Sequence, residues 1–172
     1  NERLIGVLSA MAVIEGGEYI LGNVHTDAFD DERGPLDAFV DGFEIGVYPV
    51  TQALYESVLK QNPSIYFGSG RPVENVSWYD AIRFCNALSQ KANLEKAYRI
   101  GTGDKPRVEW DKEANGYRLP TEAEWEIAAR SNSLHAYSGS EQLSTVGWSA
   151  AVHLKETCSV GRRRPNAWGI YD

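Results

Sequence analysis

The sequence has only two cysteines, Cys85 and Cys158, and they do not stand in a C-x-x-C pair. Two cysteines cannot supply the disulfide framework on which small secreted domains depend. The chain also lacks a run of about 18 consecutive apolar residues, the length that a membrane-spanning helix needs. We therefore predict a domain that is stabilised by its apolar core and has no transmembrane segment.

Basic residues are scarce relative to acidic ones. The 172 residues include 17 Lys and Arg against 24 Asp and Glu, which gives a net charge of −7. Nucleic acids and anionic membranes bind clustered cations, and the one basic run, at residues 162–164, is too short to reverse this balance. Apolar residues make up 42% of the chain and aromatic residues 11%, so disorder is excluded for most of it. The length fits a single domain at residues 1–172.

Motifs for catalysis and metal binding are missing as well. The chain has no phosphate loop, no dinucleotide fingerprint and no H-E-x-x-H. His25, His135 and His153 lie far apart in sequence, which favours surface or loop histidines over metal ligands. The acidic stretch at residues 27–32 could attract a calcium ion, but it lacks the regular D-x-D-x-D-G spacing and is better interpreted as a solvated loop. We assign no catalytic residue and no metal ligand, and the binding residues stay unknown.

The two cysteines need separate consideration because a single cysteine can act as a nucleophile. Cys85 falls on a helical apolar stripe, where a thiol packs as a small hydrophobe and its pKa rises. Cys158 falls in a loop with Lys155 and Arg162 nearby in sequence, and these cations could lower its pKa. No base or resolving cysteine accompanies it, so the pattern gives neither cysteine a catalytic role.

Short strands are predicted in the first quarter of the chain. The apolar runs at residues 4–8, 11–14 and 18–22 and the alternation at residues 39–47 are typical of strands, with glycines at the turns. A hairpin is predicted within residues 98–116. From residue 131 to the end, we predict loops with isolated aromatic residues and no helix.

About three helices are predicted. The first covers residues 51–60, and the second begins at Ser77, with Asp80 completing a near capping box and Trp78, Ala81, Ile82, Cys85 and Leu88 at helical spacing behind it. The third begins after Thr121, which caps the helix, while Glu124 can reach back to the N–H of Thr121. Its apolar stripe is predicted to contain Trp125, Ala128 and Ala129. Together these elements predict one α+β domain.

Five blocks of this framework resemble, in order, the formylglycine-generating enzyme family, also called the sulfatase-modifying-factor domain. They cover residues 11–22, 43–52, 72–81, 116–126 and 165–172, and the block at 116–126 contains the letters R-L-P-T-E-A-E-W-E. Such domains adopt an irregular variant of the C-type lectin fold. The resemblance therefore implies a C-type-lectin-like α+β fold with short strands.

The sequence also departs from the family pattern. The family continues the G-I-Y-D block with an M-x-G-N-V-x-E-W segment, an R-G-G-S-W segment and a closing G-F-R strand, and this chain stops at Asp172. The paired, copper-binding cysteines of the oxidising members belong to those later segments. An asparagine of a family calcium site corresponds to the place of Ala151 and Val152, which offer no side-chain oxygen. We expect the natural domain to continue beyond Asp172, so that the C-terminal remainder of the same fold is a further partner of these residues.

Two functions are compatible with this resemblance. The first is a non-catalytic ligand-binding or display scaffold, like the retroelement-diversified variable proteins, which would hold a protein or other macromolecular ligand at a surface at or beyond the C-terminal end. The second is a copper-dependent oxidase that converts a sulfatase cysteine into formylglycine, with its catalytic half outside this chain. No cofactor is expected in this chain, and calcium is possible in the full-length protein. The resemblance implies an extracellular or cell-envelope location.

Overall fold

The computed structural model describes residues 10–22, 34–150 and 155–172. The predicted strand at residues 4–8, the acidic stretch at 27–32, His25 and His153 lie outside the described residues. The described part contains six strands and four helices: β1 (Met11–Ile14), β2 (Gly17–Leu21), β3 (Leu36–Val40), β4 (Phe43–Gly46), α1 (Gln52–Leu59), α2 (Trp78–Lys91), β5 (Tyr98–Ile100), β6 (Val108–Trp110), α3 (Glu122–Arg130) and α4 (Leu143–Val146).

The chain divides into two compact units, each made of more than one segment. The first unit consists of Asn1–Thr51, Gly70–Pro72 and Pro120–Asp172, and the second of Gln52–Ser69 and Val73–Leu119. No helix in the described part of the chain combines the length and the apolar character that are needed to cross a bilayer.

Two antiparallel strand pairs form the N-terminal part of the first unit. β1 pairs with β4, and β2 pairs with β3. Gly16 and Gly42 approach each other closely where the chain leaves β1 and enters β4. A Cβ atom on Gly16 would lie 2.8 Å from the backbone nitrogen of Gly42, so the pairing requires a residue without a side chain there. The predicted short strands are confirmed in the described residues.

The helix α3 begins with the predicted capping box. Thr121 Oγ1 accepts a hydrogen bond from the Glu124 N–H at 3.2 Å, and Glu124 Oε2 accepts one from the Thr121 N–H at 2.8 Å. The backbone N–H groups of Thr121 and Glu124, which have no carbonyl partner within the helix, are therefore both hydrogen-bonded. The helix ends at Ser131, whose φ of 47° is left-handed, and the Ser131 N–H donates to the carbonyl of Ile127.

The predicted apolar stripe of α3 is wrong at Trp125. This side chain is 62% exposed, whereas Ile127 and Ala128 are each 2% exposed and Glu124 is 7% exposed. The helix turns its Glu124–Ile127–Ala128 face inward because Glu124 is tied to the cap and Ile127 supplies the buried aliphatic side chain. Trp125 is therefore not a core residue, although its side chain is hydrophobic.

This orientation of α3 predicts different losses of stability for two substitutions in and beside the helix. Thr121→Ala should lower the free energy of unfolding by about 1 kcal/mol because it removes a cap. Trp125→Ala should lower it by less, within about 0.5 kcal/mol, because the ring is mostly in solvent. Urea unfolding of both variants measures the difference. A loss of several kcal/mol for Trp125→Ala would show that the ring is buried after all.

The short helix α4 is a second departure from the prediction. The sequence predicts loops from residue 131 onward, but Leu143–Val146 forms one helical turn, and Val146 within it is buried. A single turn is too short to show helical periodicity in the sequence.

The second unit packs α1 and α2 around a common core. The rings of Tyr55 on α1 and Phe84 on α2 are stacked, with centroids 5.2 Å apart and an interplanar angle of 12°. The strands β5 and β6 form the predicted hairpin. The buried apolar side chains of this unit are Leu54, Tyr55, Val58, Ile82, Phe84, Cys85, Leu88, Ala97 and Tyr98.

The capping box of α2 is also confirmed. Asp80 donates its backbone N–H to Ser77 Oγ at 3.2 Å, and the Ser77 N–H donates to Asp80 Oδ2 at 3.0 Å. Hydrogen bonds from Ser77 hold the pKa of Asp80 below its ordinary value. Trp78, which stands at helical spacing with the apolar residues of this helix, is 52% exposed, and its ring lies edge-on to that of Tyr79 with centroids 5.3 Å apart.

Candidate functional site

One buried amide organises the C-terminal segment of the first unit. Asn166 is 5% exposed, and its Nδ2 donates to the carbonyl oxygens of Ala128 and Ala129 at 2.7 and 3.2 Å. Its Oδ1 accepts from the N–H groups of Trp168 and Ile170 at 3.0 and 3.1 Å. A single side chain thus joins the end of α3 to the turn at residues 166–170, and it satisfies backbone groups that water cannot easily reach.

Two residues of the first unit donate hydrogen bonds to Asp172. Asp172 Oδ1 accepts from the indole Nε1 of Trp148 at 3.2 Å, and Asp172 Oδ2 accepts from the Gly161 N–H at 2.6 Å. The guanidinium carbon of Arg163 lies 3.8 Å from the ring centroid of Trp148, which is a close cation–π contact. We call Trp148, Gly161, Arg163, Tyr171 and Asp172, together with the exposed residues Arg162, Arg164 and Ala167, the C-terminal surface.

An aromatic pair contributes a further contact to this surface. The rings of Tyr48 and Tyr171 lie 4.9 Å apart, and the Tyr171 N–H donates to the carbonyl of Val47 at 3.0 Å. Gly161 has a φ of +68°, and a Cβ atom there would lie 2.7 Å from Tyr48 Cε1. Glycine adopts this left-handed conformation without strain, and a side chain at this position would have to displace the ring of Tyr48.

The C-terminal surface combines buried polar atoms with exposed cations. Among the described residues, no hydrogen-bond partner is found for the buried Ser149 Oγ or for Arg163 Nε. Arg162 and Arg164, on either side of Arg163, are exposed. The ring of Trp148 and the guanidinium groups of Arg162 and Arg164 can together contact a ligand. Tryptophan and arginine are enriched in protein interfaces.

The structure places Cys85 where the sequence predicts it. The thiol lies in the core of the second unit with 7% of the residue exposed, and burial raises its pKa to about 11. A thiol with this pKa is protonated at neutral pH and is a poor nucleophile. Cys158 is a free, half-buried residue of the first unit. The packing role predicted for Cys85 is confirmed.

The burial of Cys85 predicts a pH dependence of stability. Below about pH 9 the thiol is protonated in both the folded and the unfolded state, so its contribution is fully present. As the pH rises from about 9 to about 11, the unfolded chain loses the proton first, and the free energy of unfolding should fall by about 2–3 kcal/mol. Urea unfolding at several pH values measures this fall.

The matched control for this pH dependence is Cys85→Ala. Tyrosine and lysine side chains also titrate in this pH range, but they do so in both proteins. The difference between the two stability curves therefore isolates the thiol. Parallel curves from pH 8 to pH 11 would contradict the assigned pKa.

Of the three histidines that were weighed against a metal-binding role, His135 is the one that lies in the described residues. His135 is exposed, and its Nδ1 lies 2.9 Å from Glu141 Oε1. Within residues 10–22, 34–150 and 155–172, no group of three or more His, Cys, Asp or Glu side chains could hold a metal ion. Ala151 and Val152, the place of the family calcium asparagine, lie outside the described residues.

Sequence analysis missed the organising role of Asn166. The only local signal was the Pro-Asn-Ala-Trp-Gly run at residues 165–169, which is typical of a turn. Its partners Ala128 and Ala129 lie 38 and 37 positions earlier in the chain, so spacing could not identify them.

The short strands, the capped helices and the C-terminal surface define a lectin-like α+β module. The family model of the sulfatase-modifying factor enzyme 1-like domain matches residues 5–172, and the chain belongs to this family. Treponema denticola variable protein 1 is a similar solved structure, with a TM-score of 0.85 and 33% sequence identity over 94% of this chain and 68% of that chain. The predicted C-type-lectin-like fold of the formylglycine-generating-enzyme type is confirmed.

Two curated proteins extend this comparison. The chain is 34% identical to the chaperone protein LppX of Paenibacillus barcinonensis over 94% of this chain and 67% of that protein. It is 30% identical to the serine/threonine-protein kinase pkn1 of Chlamydia pneumoniae, of which the match covers only 26%. The chain thus spans about two thirds of the first relative and about a quarter of the second.

Proposed function

We propose that this protein is a non-catalytic scaffold that binds and displays a protein or other macromolecular ligand, with the C-terminal surface as part of the recognition site. The main support for the proposal is the similarity to Treponema denticola variable protein 1, at a TM-score of 0.85. A protein named for its variability needs a frame that tolerates changes in its exposed residues.

The packing of the first unit supports this division of roles. The buried Asn166 joins the turn at residues 166–170 to the end of α3, whereas Arg162, Arg164 and Ala167 are exposed. Exposed side chains on a fixed backbone can change with little effect on stability. On this proposal, ligand specificity resides in the exposed side chains, and the calcium ion that such folds can hold is a part of the frame outside these residues.

A protein ligand is favoured by a second similarity. LppX is named as a chaperone protein, and chaperones bind polypeptides. The net charge of −7 supports a protein partner over nucleic acid. The proposal extends to diversification by a retroelement and to an extracellular or cell-envelope location, both of which the family resemblance implies.

The competing function is the copper-dependent formylglycine-generating oxidase, which the name of the matched family favours. That chemistry requires a reactive cysteine pair. Cys85 is buried with a raised pKa, which supports a structural role for it. On the oxidase hypothesis, the catalytic cysteines would have to come from additional polypeptide.

A display experiment tests the scaffold function. A yeast-displayed library with Arg162, Arg164 and Ala167 randomised should yield clones that bind an unrelated test protein, such as hen lysozyme, with micromolar or better dissociation constants. The control library randomises Leu54, Ile82 and Leu88 in the core and should yield no displayed, folded binders. Loss of display in the first library would contradict the scaffold function.

The oxidase hypothesis has its own assay. The full-length protein, including any polypeptide that follows Asp172, is incubated with copper and a sulfatase-motif peptide, and the product is examined by mass spectrometry for the aldehyde. The scaffold function predicts an unmodified peptide. Formation of formylglycine would replace the scaffold proposal by the oxidase.

A further inference from the structure

The sequence contains one Asn-Gly pair, Asn115–Gly116, and it lies in the second unit. Glycine has no Cβ atom, so its backbone nitrogen can approach the side-chain amide of the preceding asparagine without steric hindrance. Attack of that nitrogen on the amide carbon is the first step of asparagine deamidation, which makes asparagine a thermolabile residue. Asn115 is exposed, and water therefore has access to its amide.

Two hydrogen bonds anchor the chain on either side of the Asn115–Gly116 peptide bond. Asn115 Oδ1 accepts from the Glu95 N–H at 2.9 Å, in the segment that follows α2. The Tyr117 N–H donates to Ser89 Oγ at 2.8 Å, and Ser89 is a fully buried residue of α2. The residues before and after the glycine are therefore both held in place.

Gly116 itself is in close contact with the backbone of the same segment. A Cβ atom on Gly116 would lie 1.8 Å from the carbonyl oxygen of Glu95 and 2.6 Å from Ser89 Oγ. Close-packed sites of this kind admit an extra atom only when the surrounding chain moves. A reaction that adds an atom to the main chain at Asn115 must therefore break the contact.

The chemistry of deamidation determines which atoms move. The backbone nitrogen of Gly116 loses its proton and bonds to Asn115 Cγ, and the side-chain amide leaves as ammonia. Water then opens the resulting succinimide at one of its two carbonyl carbons. Opening at Cγ gives aspartate, whereas opening at the main-chain carbonyl gives isoaspartate, in which the main chain runs through Cβ and Cγ.

The two products fit this fold differently. Aspartate keeps the length of the main chain, and its carboxylate can still accept from the Glu95 N–H. Isoaspartate lengthens the main chain by one carbon–carbon bond of about 1.5 Å. Gly116 then cannot remain against the Glu95 carbonyl while Tyr117 stays hydrogen-bonded to Ser89.

Closure of the succinimide ring also requires these contacts to open. Gly116 has to turn its nitrogen toward Asn115 Cγ, but its α-carbon has no room to move between Glu95 and Ser89. Segments of folded proteins open locally at a free energy below that of global unfolding. When opening and closing are fast, the rate of reaction follows the fraction of molecules that are open.

We propose that Asn115 is an isoaspartate-forming modification site whose reaction is limited by local opening of residues 115–117. The contacts with Glu95 and Ser89 protect the amide while the segment is closed. Isoaspartate prevents the segment from closing again, so the modification makes a transient opening permanent. These contacts belong to the second unit alone, and the proposal does not rest on the function proposed for the C-terminal surface.

The first test compares the rate of deamidation in the folded and the unfolded chain. The whole protein is incubated at one mildly alkaline pH, in buffer and in guanidinium chloride, and the tryptic peptide of residues 113–118 is followed by mass spectrometry. Protein isoaspartate methyltransferase serves as the probe for isoaspartate. The folded protein should react at least tenfold more slowly than the unfolded chain. Equal rates, or no isoaspartate in the unfolded chain, would overturn the proposal.

A pair of serine variants tests whether opening is local. Ser89→Ala removes the acceptor for the Tyr117 N–H and should accelerate deamidation of the folded protein at least threefold. The matched control is Ser57→Ala, because Ser57 Oγ donates to the Leu54 carbonyl at 2.7 Å within α1 and is remote in sequence from the Asn-Gly pair. The control should leave the rate within twofold of the parent. Equal acceleration by both variants would show that the reaction proceeds through global unfolding.

The stability of the products gives a further test that needs no variant of Ser89. Asn115→Asp reproduces the aspartate product, and its thermal midpoint should stay within about 2 °C of the parent. The isoaspartate form, isolated chromatographically after deamidation and return to buffer, should unfold at least about 5 °C lower. An isoaspartate form as stable as Asn115→Asp would overturn the proposal.

Discussion

Asn166→Ala is expected to lower the free energy of unfolding by about 4 kcal/mol. The side chain makes hydrogen bonds through both of its polar atoms, and it is 5% exposed. Removing it leaves the N–H groups of Trp168 and Ile170 without the amide oxygen, and each buried unpaired group costs about 1–3 kcal/mol. For a chain of this length, the thermal midpoint should fall by roughly 10 °C.

The control for Asn166 is an asparagine that makes a single exposed hydrogen bond. Asn115 Oδ1 accepts from the Glu95 N–H at 2.9 Å in an exposed setting. Asn115→Ala should therefore cost only about 1 kcal/mol. Urea unfolding monitored by tryptophan fluorescence compares the two variants, and similar losses would show that Asn166 is not the anchor of the C-terminal segment.

Gly116→Ala is expected to have the largest effect in the second unit. A Cβ atom at this position would lie 1.8 Å from the carbonyl oxygen of Glu95 and 2.6 Å from Ser89 Oγ. Ser89 is fully buried, donates to the Cys85 carbonyl at 2.9 Å and accepts from the Tyr117 N–H at 2.8 Å. The backbone must move to admit a methyl group, so the loss should be at least about 3 kcal/mol.

The matched control is a glycine with space around it. At Gly17, the nearest atom to an added Cβ is Tyr19 Cε2, 4.0 Å away. Gly17→Ala should change stability by less than about 1 kcal/mol, since alanine costs nothing sterically there and restricts the unfolded chain. A small effect of Gly116→Ala in equilibrium unfolding would contradict the close approach of residues 95 and 116.

Local signals predicted most of the secondary structure. The capping boxes at Ser77 and Thr121 depend on residues three positions apart, and both are formed. Helical spacing predicted the burial of Cys85, because a strongly periodic helix has one face to bury. The resemblance to a known family supplied the overall fold, which periodicity could not.

Contacts between distant residues explain what the sequence did not predict. Trp125 is hydrophobic, yet the inward face of α3 is set by Glu124 and Ile127 instead. The inward amide of Gln52 is fixed by residues 10 to 16 positions away. Such partners are determined by tertiary structure, so neither the inward amide of Gln52 nor the anchor Asn166 could be found from spacing.

The central claim is that a fixed frame carries exposed side chains on the C-terminal surface that can be replaced with little effect on stability. The most direct test is the thermal midpoint of a triple variant, Arg162→Ser/Arg164→Ser/Ala167→Ser, measured beside Asn166→Ala. The account predicts a midpoint within about 3 °C of the parent for the triple variant and a fall of roughly 10 °C for the anchor variant. A triple variant that unfolds as early as Asn166→Ala would contradict it.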